Sequence, residues 1–103
     1  MSTPESKIKK EITAYLDSLG ERCWWTSIIP MGYGKRGIPD ILYCYRGRFL
    51  ALEVKADATK DALPWQKRQL AAISAAGGVA CVVWSVEHVK HEINCMDREL
   101  DLF

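Results

Sequence analysis

Asp40 follows a proline, and further along Glu53 and Lys55 stand two residues apart. Between them, Ile41 to Arg46 and Arg48 to Lys55 are two β-prone runs that meet at Gly47, the pattern of a tight hairpin. Alternation along the second run places Phe49, Ala51, Glu53 and Lys55 on one face and Leu50, Leu52 and Val54 on the other. Asp40 sits at the entry of the first run, so the hairpin brings two carboxylates and an ammonium together. Hard oxygen ligands of this kind suit Mg²⁺ or Mn²⁺. The chemistry open to such a group is hydrolysis, in which the ion acidifies water and offsets growing negative charge while Lys55 orients the water or meets that charge. The ordinary alternative is a solvated charge pair on an outward strand face, with Asp40 a turn residue after Pro39. Phe49 and Ala51 weigh against it: they make the Glu53 face apolar too, and a charge emerging from a largely buried strand is costly without a partner.

The elements that must hold these residues follow from the flanking sequence. Thr3 is a good N-cap with Pro4 at the first helical position, and Ile8, Ile12, Tyr15, Leu16 and Leu19 repeat at helical spacing up to Gly20. Arg22 to Ile29 is rich in β-branched and aromatic types and leads into a loop with Gly32, Gly34 and Gly37. After the hairpin, Ala56 to Leu63 has the mixed polarity of a loop. Pro64 opens a helix running to Gly77-Gly78, where a left-handed cap is expected. Val79 to Trp84 is a continuously apolar run, the pattern of a buried strand. Ser85 caps a last helix carrying Val86, Val89 and Ile93, and the tail beyond has no clear pattern. The order of helix, three strands, helix, strand, helix predicts an α/β fold with a mixed sheet flanked by helices. With 103 residues and no repeat or long linker, residues 1–103 are expected to form a single domain.

On these residues the chain resembles the PD-(D/E)XK nucleases, which have a restriction-endonuclease-like fold, and within them the virus-type replication-repair nuclease domain, VRR-NUC. The matching stretches are Gly37-Ile38-Pro39-Asp40-Ile41, Gly47 through Lys55, Gln66 and Ala76-Gly77-Gly78. The resemblance implies that Asp40, Glu53 and the backbone carbonyl of Val54 hold the divalent metal, Mg²⁺ or Mn²⁺, and that Lys55 assists the attacking water. It also implies that Gln66, on the helical face of Leu70 and Ile73, lines the active site; otherwise Gln66 is simply a polar residue at a wet helix end. A helix-entry glutamate of the family is matched by Glu5, with Glu11 the runner-up, although Glu5 is equally a favourable charge at the positive end of the helix dipole. The implied activity is endonucleolytic cleavage of structured or branched DNA, such as a Holliday junction, in replication, repair or recombination, without a nucleotide cofactor. Stand-alone members of phages and bacteria are typically homodimers. Ile28-Ile29-Pro30-Met31 and Ala62-Leu63 depart from the family's pattern. They bear on the upstream loop and on how firmly the Gln66 helix begins. A module that keeps the fold for DNA binding or assembly without catalysis is the alternative, and the intact set of Asp40, Glu53 and Lys55 speaks against it.

The formal net charge of +1 offers no strong overall attraction to nucleic acid, so a local basic patch is needed. Lys35 and Arg36, just before Asp40, are placed for DNA phosphates, and Lys60, Lys67 and Arg68 extend the patch or are ordinary surface charge. Adjacent Trp24 and Trp25 in a strand must point to opposite faces, leaving one exposed or at a partner surface. His88 and His91 share the last helix with Glu87 and Glu92, more consistent with a solvated face than with zinc. Cys23, Cys44, Cys81 and Cys95 are scattered without a Cys-x-x-Cys pair and are expected as free thiols. No apolar run is long enough for a membrane span and no secretory signal is visible, so a cytoplasmic location is expected.

Overall fold

A computed structural model describes residues 3–29 and 34–102. Pro30, Met31 and Gly32, part of the departing loop motif and the glycine-rich loop, lie outside the described residues. Helix α1 spans Pro4–Ser18, with the Thr3 hydroxyl accepting the Ser6 N–H at 3.0 Å as its cap. A 3-10 turn at Gly20–Arg22 then delivers the chain into strand β1, Cys23–Ser27. Strands β2, Ile41–Tyr45, and β3, Arg48–Val54, form the expected hairpin, followed by helix α2, Pro64–Ala75. Strand β4, Val79–Val83, and helix α3, Val86–Asp101, complete the described chain. Helix α3 includes the tail that showed no pattern in the sequence, and the Ser85 hydroxyl caps it by accepting the His88 N–H.

The sheet order is β1-β2-β3-β4, antiparallel at the first two pairings and parallel between β3 and β4. One face carries Ile41, Tyr43 and Tyr45 of β2, Leu50, Leu52 and Val54 of β3, and Val83 of β4. These pack with Ile12 and Leu16 of α1 and Val89, Ile93 and Met96 of α3 into the main core. Helix α2 lies on the opposite face, over β3 and β4. The continuous apolar run of β4 belongs to an edge strand that is only partly buried except at Val83, not to a central buried strand. Helices on both faces explain its composition, while its lateral edge, unpaired among the described residues, explains its exposure.

The register places Trp24, Cys44 and Phe49 side by side across β1, β2 and β3 on the α2 face, beyond the cover that α2 provides. Trp24 is 66% exposed and Phe49 46% exposed. Trp25 points the other way and donates its indole N–H to Asp17 at 2.7 Å. All four cysteines are free. No helix among the described residues is long and apolar enough to cross a membrane.

Candidate active site

The hairpin does to Asp40 and Glu53 what their spacing requires. Ile41 pairs with Leu52, so Asp40 stands at the end of β2 beside Glu53 and Val54 at the end of β3. The backbone then fixes the aspartate: its Oδ2 accepts the Val54 N–H at 2.8 Å, and its carbonyl accepts the Ile28 N–H at 2.8 Å. Glu53 lies under α2 and is only 2% exposed, the one charged side chain among the described residues that is buried. Its Oε2 accepts from the Gln66 Nε2 at 3.2 Å and lies 3.7 Å from the Lys55 Nζ, whereas its Oε1 is buried with no hydrogen-bond partner among the described residues. Burial first, and then the neighbouring Asp40 carboxyl, hold the Glu53 carboxyl well above the usual carboxylate range, against the pull of Lys55 and Lys9.

Gln66 ties the constellation together. Its Oε1 accepts from the Lys55 Nζ at 3.0 Å and from the Leu63 N–H at 2.8 Å. The second contact caps α2, whose N-cap residue, Leu63, has no oxygen on its side chain. The missing Ser/Thr cap is therefore replaced by the amide that also holds the lysine. Gly37 is packed against the same helix start. Gly37 has φ +81°, and a Cβ there would lie 2.6 Å from the Trp65 carbonyl oxygen and 3.0 Å from the Gln66 nitrogen, a space that only glycine leaves open.

Arg36 stacks on the Trp65 ring, its guanidinium carbon 3.7 Å from the ring centroid. Lys35, Arg36 and Arg68 line a groove of about 440 Å³ with Pro64, Trp65 and Gln69. Lys67 instead pairs with Asp61 at 2.8 Å and, like Lys60, does not line this groove. Glu5 is not brought into the carboxylate pair. It lines a groove of about 470 Å³ between α1 and the end of β1, with Lys9 also in its wall, and among the described residues no three His, Cys, Asp or Glu side chains gather to hold a metal. Glu11 is exposed on α1. Lys9, one turn after Glu5, takes the place beside the aspartate, with its Nζ 3.2 Å from the Asp40 Oδ1. The sequence showed Lys9 only as a lysine beside an apolar stripe; its role depends on where α1 crosses the sheet. His88 faces Glu92 at 3.9 Å and His91 faces Cys95 at 3.5 Å, so the two histidines do not converge.

No family model matches the chain, and no curated protein matches it either. Solved structures do. One described as a "VRR_NUC domain" superposes with a TM-score of 0.76 at 26% identity, covering 90% of this chain and 97% of its own. Another, a "VRR_NUC domain protein", gives 0.70 at 18% identity, covering 91% and 88%, a likeness of fold. The class is that of nuclease-type α/β domains with the PD-(D/E)XK-like fold. Within it, the likeness over most of the chain supports a VRR-NUC domain.

Proposed function

We propose that this chain is a metal-dependent endonuclease that hydrolyses phosphodiester bonds in branched DNA. The observation that carries the reading is the buried Glu53 carboxylate, which has one bare oxygen, faces Asp40 and is linked by Gln66 to Lys55. Glu53 is buried beside the partly exposed Asp40, and a metal ion would offset the cost of holding the two carboxylates together. Their oxygens, with the Val54 carbonyl, are a hard donor set that fits Mg²⁺ or Mn²⁺, ions that retain several waters and need few protein ligands. When bound, such an ion would supply Lewis acidity toward water and the scissile phosphate.

The remaining steps belong to side chains of this chain. Lys55, held by Gln66, is pre-set to orient the attacking water or to meet negative charge as it develops on the phosphate. Gln66 acts through Lys55 and Glu53 as a positioning residue. Lys35, Arg36 and Arg68 hold phosphates of the strand in their groove, with Arg36 pre-organised on Trp65. No nucleotide cofactor is required.

A four-way junction is two-fold symmetric and needs paired incisions, whereas each chain offers one such centre. A C2 homodimer is the simplest arrangement, and the exposed row of Trp24, Cys44 and Phe49 is the surface that supports it. Such an enzyme would serve DNA replication, repair or recombination. The test is incubation of the protein with labelled single-stranded, duplex, flap and four-way DNA in Mg²⁺, Mn²⁺ or EDTA. Cleavage of the four-way substrate with either ion, and none in EDTA, is expected. An absence of metal-dependent cleavage across the whole panel would refute the activity, and preference for an unbranched substrate would refute the selectivity.

A further inference from the structure

The cation on Asp40 comes from an element that the hairpin motif does not include. Lys9 lies on α1, far from Asp40 in the sequence, and crosses to the carboxylate pair from the side opposite α2. The two oxygens of Asp40 are engaged differently. Oδ2 accepts the Val54 N–H, a rigid backbone donor inside the hairpin, while Oδ1 faces the Lys9 ammonium at 3.2 Å. Only the second contact is carried by a long side chain that can swing aside without disturbing the sheet. On the neighbouring glutamate, the buried Glu53 Oε1 has no hydrogen-bond partner among the described residues. The oxygens that an incoming cation could take are therefore the Glu53 Oε1, which is bare, and the Asp40 Oδ1, which Lys9 covers.

We propose that Lys9 is a built-in counter-cation that a divalent metal must displace from the Asp40 Oδ1, so that Lys9 sets the metal affinity of the site. The inference rests on the reading of Asp40 and Glu53 as the metal-holding pair. Without metal, Lys9 keeps Asp40 from facing Glu53 uncompensated. Displacement is easy, because the Lys9 side chain is 39% exposed and an ion pair that open to water is weak. There is also room for the released ammonium: the groove beside α1, where Ser6, Thr13 and Ser27 present hydroxyls, has Lys9 in its wall. Lys10 lines the same groove, but the ion pair to Asp40 is made by Lys9, so the competing role belongs to Lys9.

The experiment is calorimetric titration of the full chain with Mn²⁺ in the absence of DNA, at fixed pH and ionic strength, for the wild type, K9M, K9Q, K9R and E53Q. Removing the charge in K9M or K9Q is expected to tighten Mn²⁺ binding about two- to fivefold, the range that a partly exposed ion pair allows. K9R, which keeps a cation next to Asp40, is expected to stay near wild-type affinity, and E53Q to lose most binding. Circular dichroism establishes that each variant is folded, and K9Q serves if K9M is not. Loss of binding in E53Q with no tightening in the folded neutral Lys9 variants would overturn the inference and leave the metal-pair reading standing. K9R binding as tightly as K9M would also overturn it. E53Q binding Mn²⁺ like the wild type would overturn the metal-pair reading, and this inference with it.

Discussion

A carboxylate with a bare oxygen in a protein interior costs stability, and Glu53 is kept there nonetheless. Glu53→Gln should therefore have two opposite effects. The metal-free protein should gain about 1–3 kcal/mol of stability, the scale of a relieved buried polar group, read as a higher midpoint in urea. Metal-dependent cleavage should fall by at least ~100-fold under single-turnover conditions, beyond what loss of an outer-shell partner causes. A variant that is no more stable, or that keeps wild-type turnover, would remove Glu53 from the role proposed for it. Asp40, Glu53, Lys55 and Gln66 were legible in the sequence because strand alternation and a short hairpin leave few ways to arrange them. Lys9 was not legible, and neither was which of Lys9 and Glu5 would face Asp40, for one reason: the crossing of α1 over the sheet is set by packing between distant residues, and a single helical turn separates the two positions.

The hairpin turn shows how a local element is held from afar. Arg46 and Gly47 have φ of +49° and +83°, the two positive values of a type I′ turn, although only Gly47 is a residue that adopts them freely. The Arg46 guanidinium is clasped by Asp97 and Asp101 of α3 at 2.8 and 2.9 Å, and the Tyr45 hydroxyl also donates to Asp97. Arg46, with help from Tyr45, holds the Asp97 carboxyl below the usual carboxylate range. Its folded-state pKa is thus depressed, so its contribution is present above the unfolded-state pKa and lost as pH falls through the folded-state value. Asp97→Asn should accordingly lower the melting temperature at neutral pH, with the gap to wild type closing at the acid end of a pH series. Gly37 is a second fixed point. Gly37→Ala would combine a left-handed backbone with a clash against the Trp65 carbonyl, costing roughly 1–3 kcal/mol and shifting Asp40 relative to Gln66. A thermal melt and a cleavage assay together check this: wild-type values in both would mean that the loop sits elsewhere. The helices, the hairpin and its faces were readable from periodicity. The edge position of β4 was not, since apolar continuity reports covered faces and says nothing about lateral neighbours.

Of the two tryptophans that alternation set on opposite faces, Trp25 found a partner in Asp17, while the Trp24 side chain stays outside the core. If the row of Trp24, Cys44 and Phe49 is the centre of a two-fold interface, the protein should be a dimer at micromolar concentration by light scattering, burying at least ~1,000 Å². Trp24→Glu should then yield a monomer of unchanged fold that no longer makes paired cuts in a four-way junction. A wild type that is monomeric with and without junction DNA, yet cuts at paired positions, would end the dimer argument and leave the nuclease reading intact. The contact of Gly37 with the first turn of α2 has an implication for engineering. Arg36 rests on Trp65, Gly37 on the Trp65 carbonyl, and the next residue, Gln66, holds Lys55. On the nuclease reading, selectivity and turnover would share one mechanical linkage, and variants selected in the groove for a new DNA shape should shift the rate constant along with the affinity.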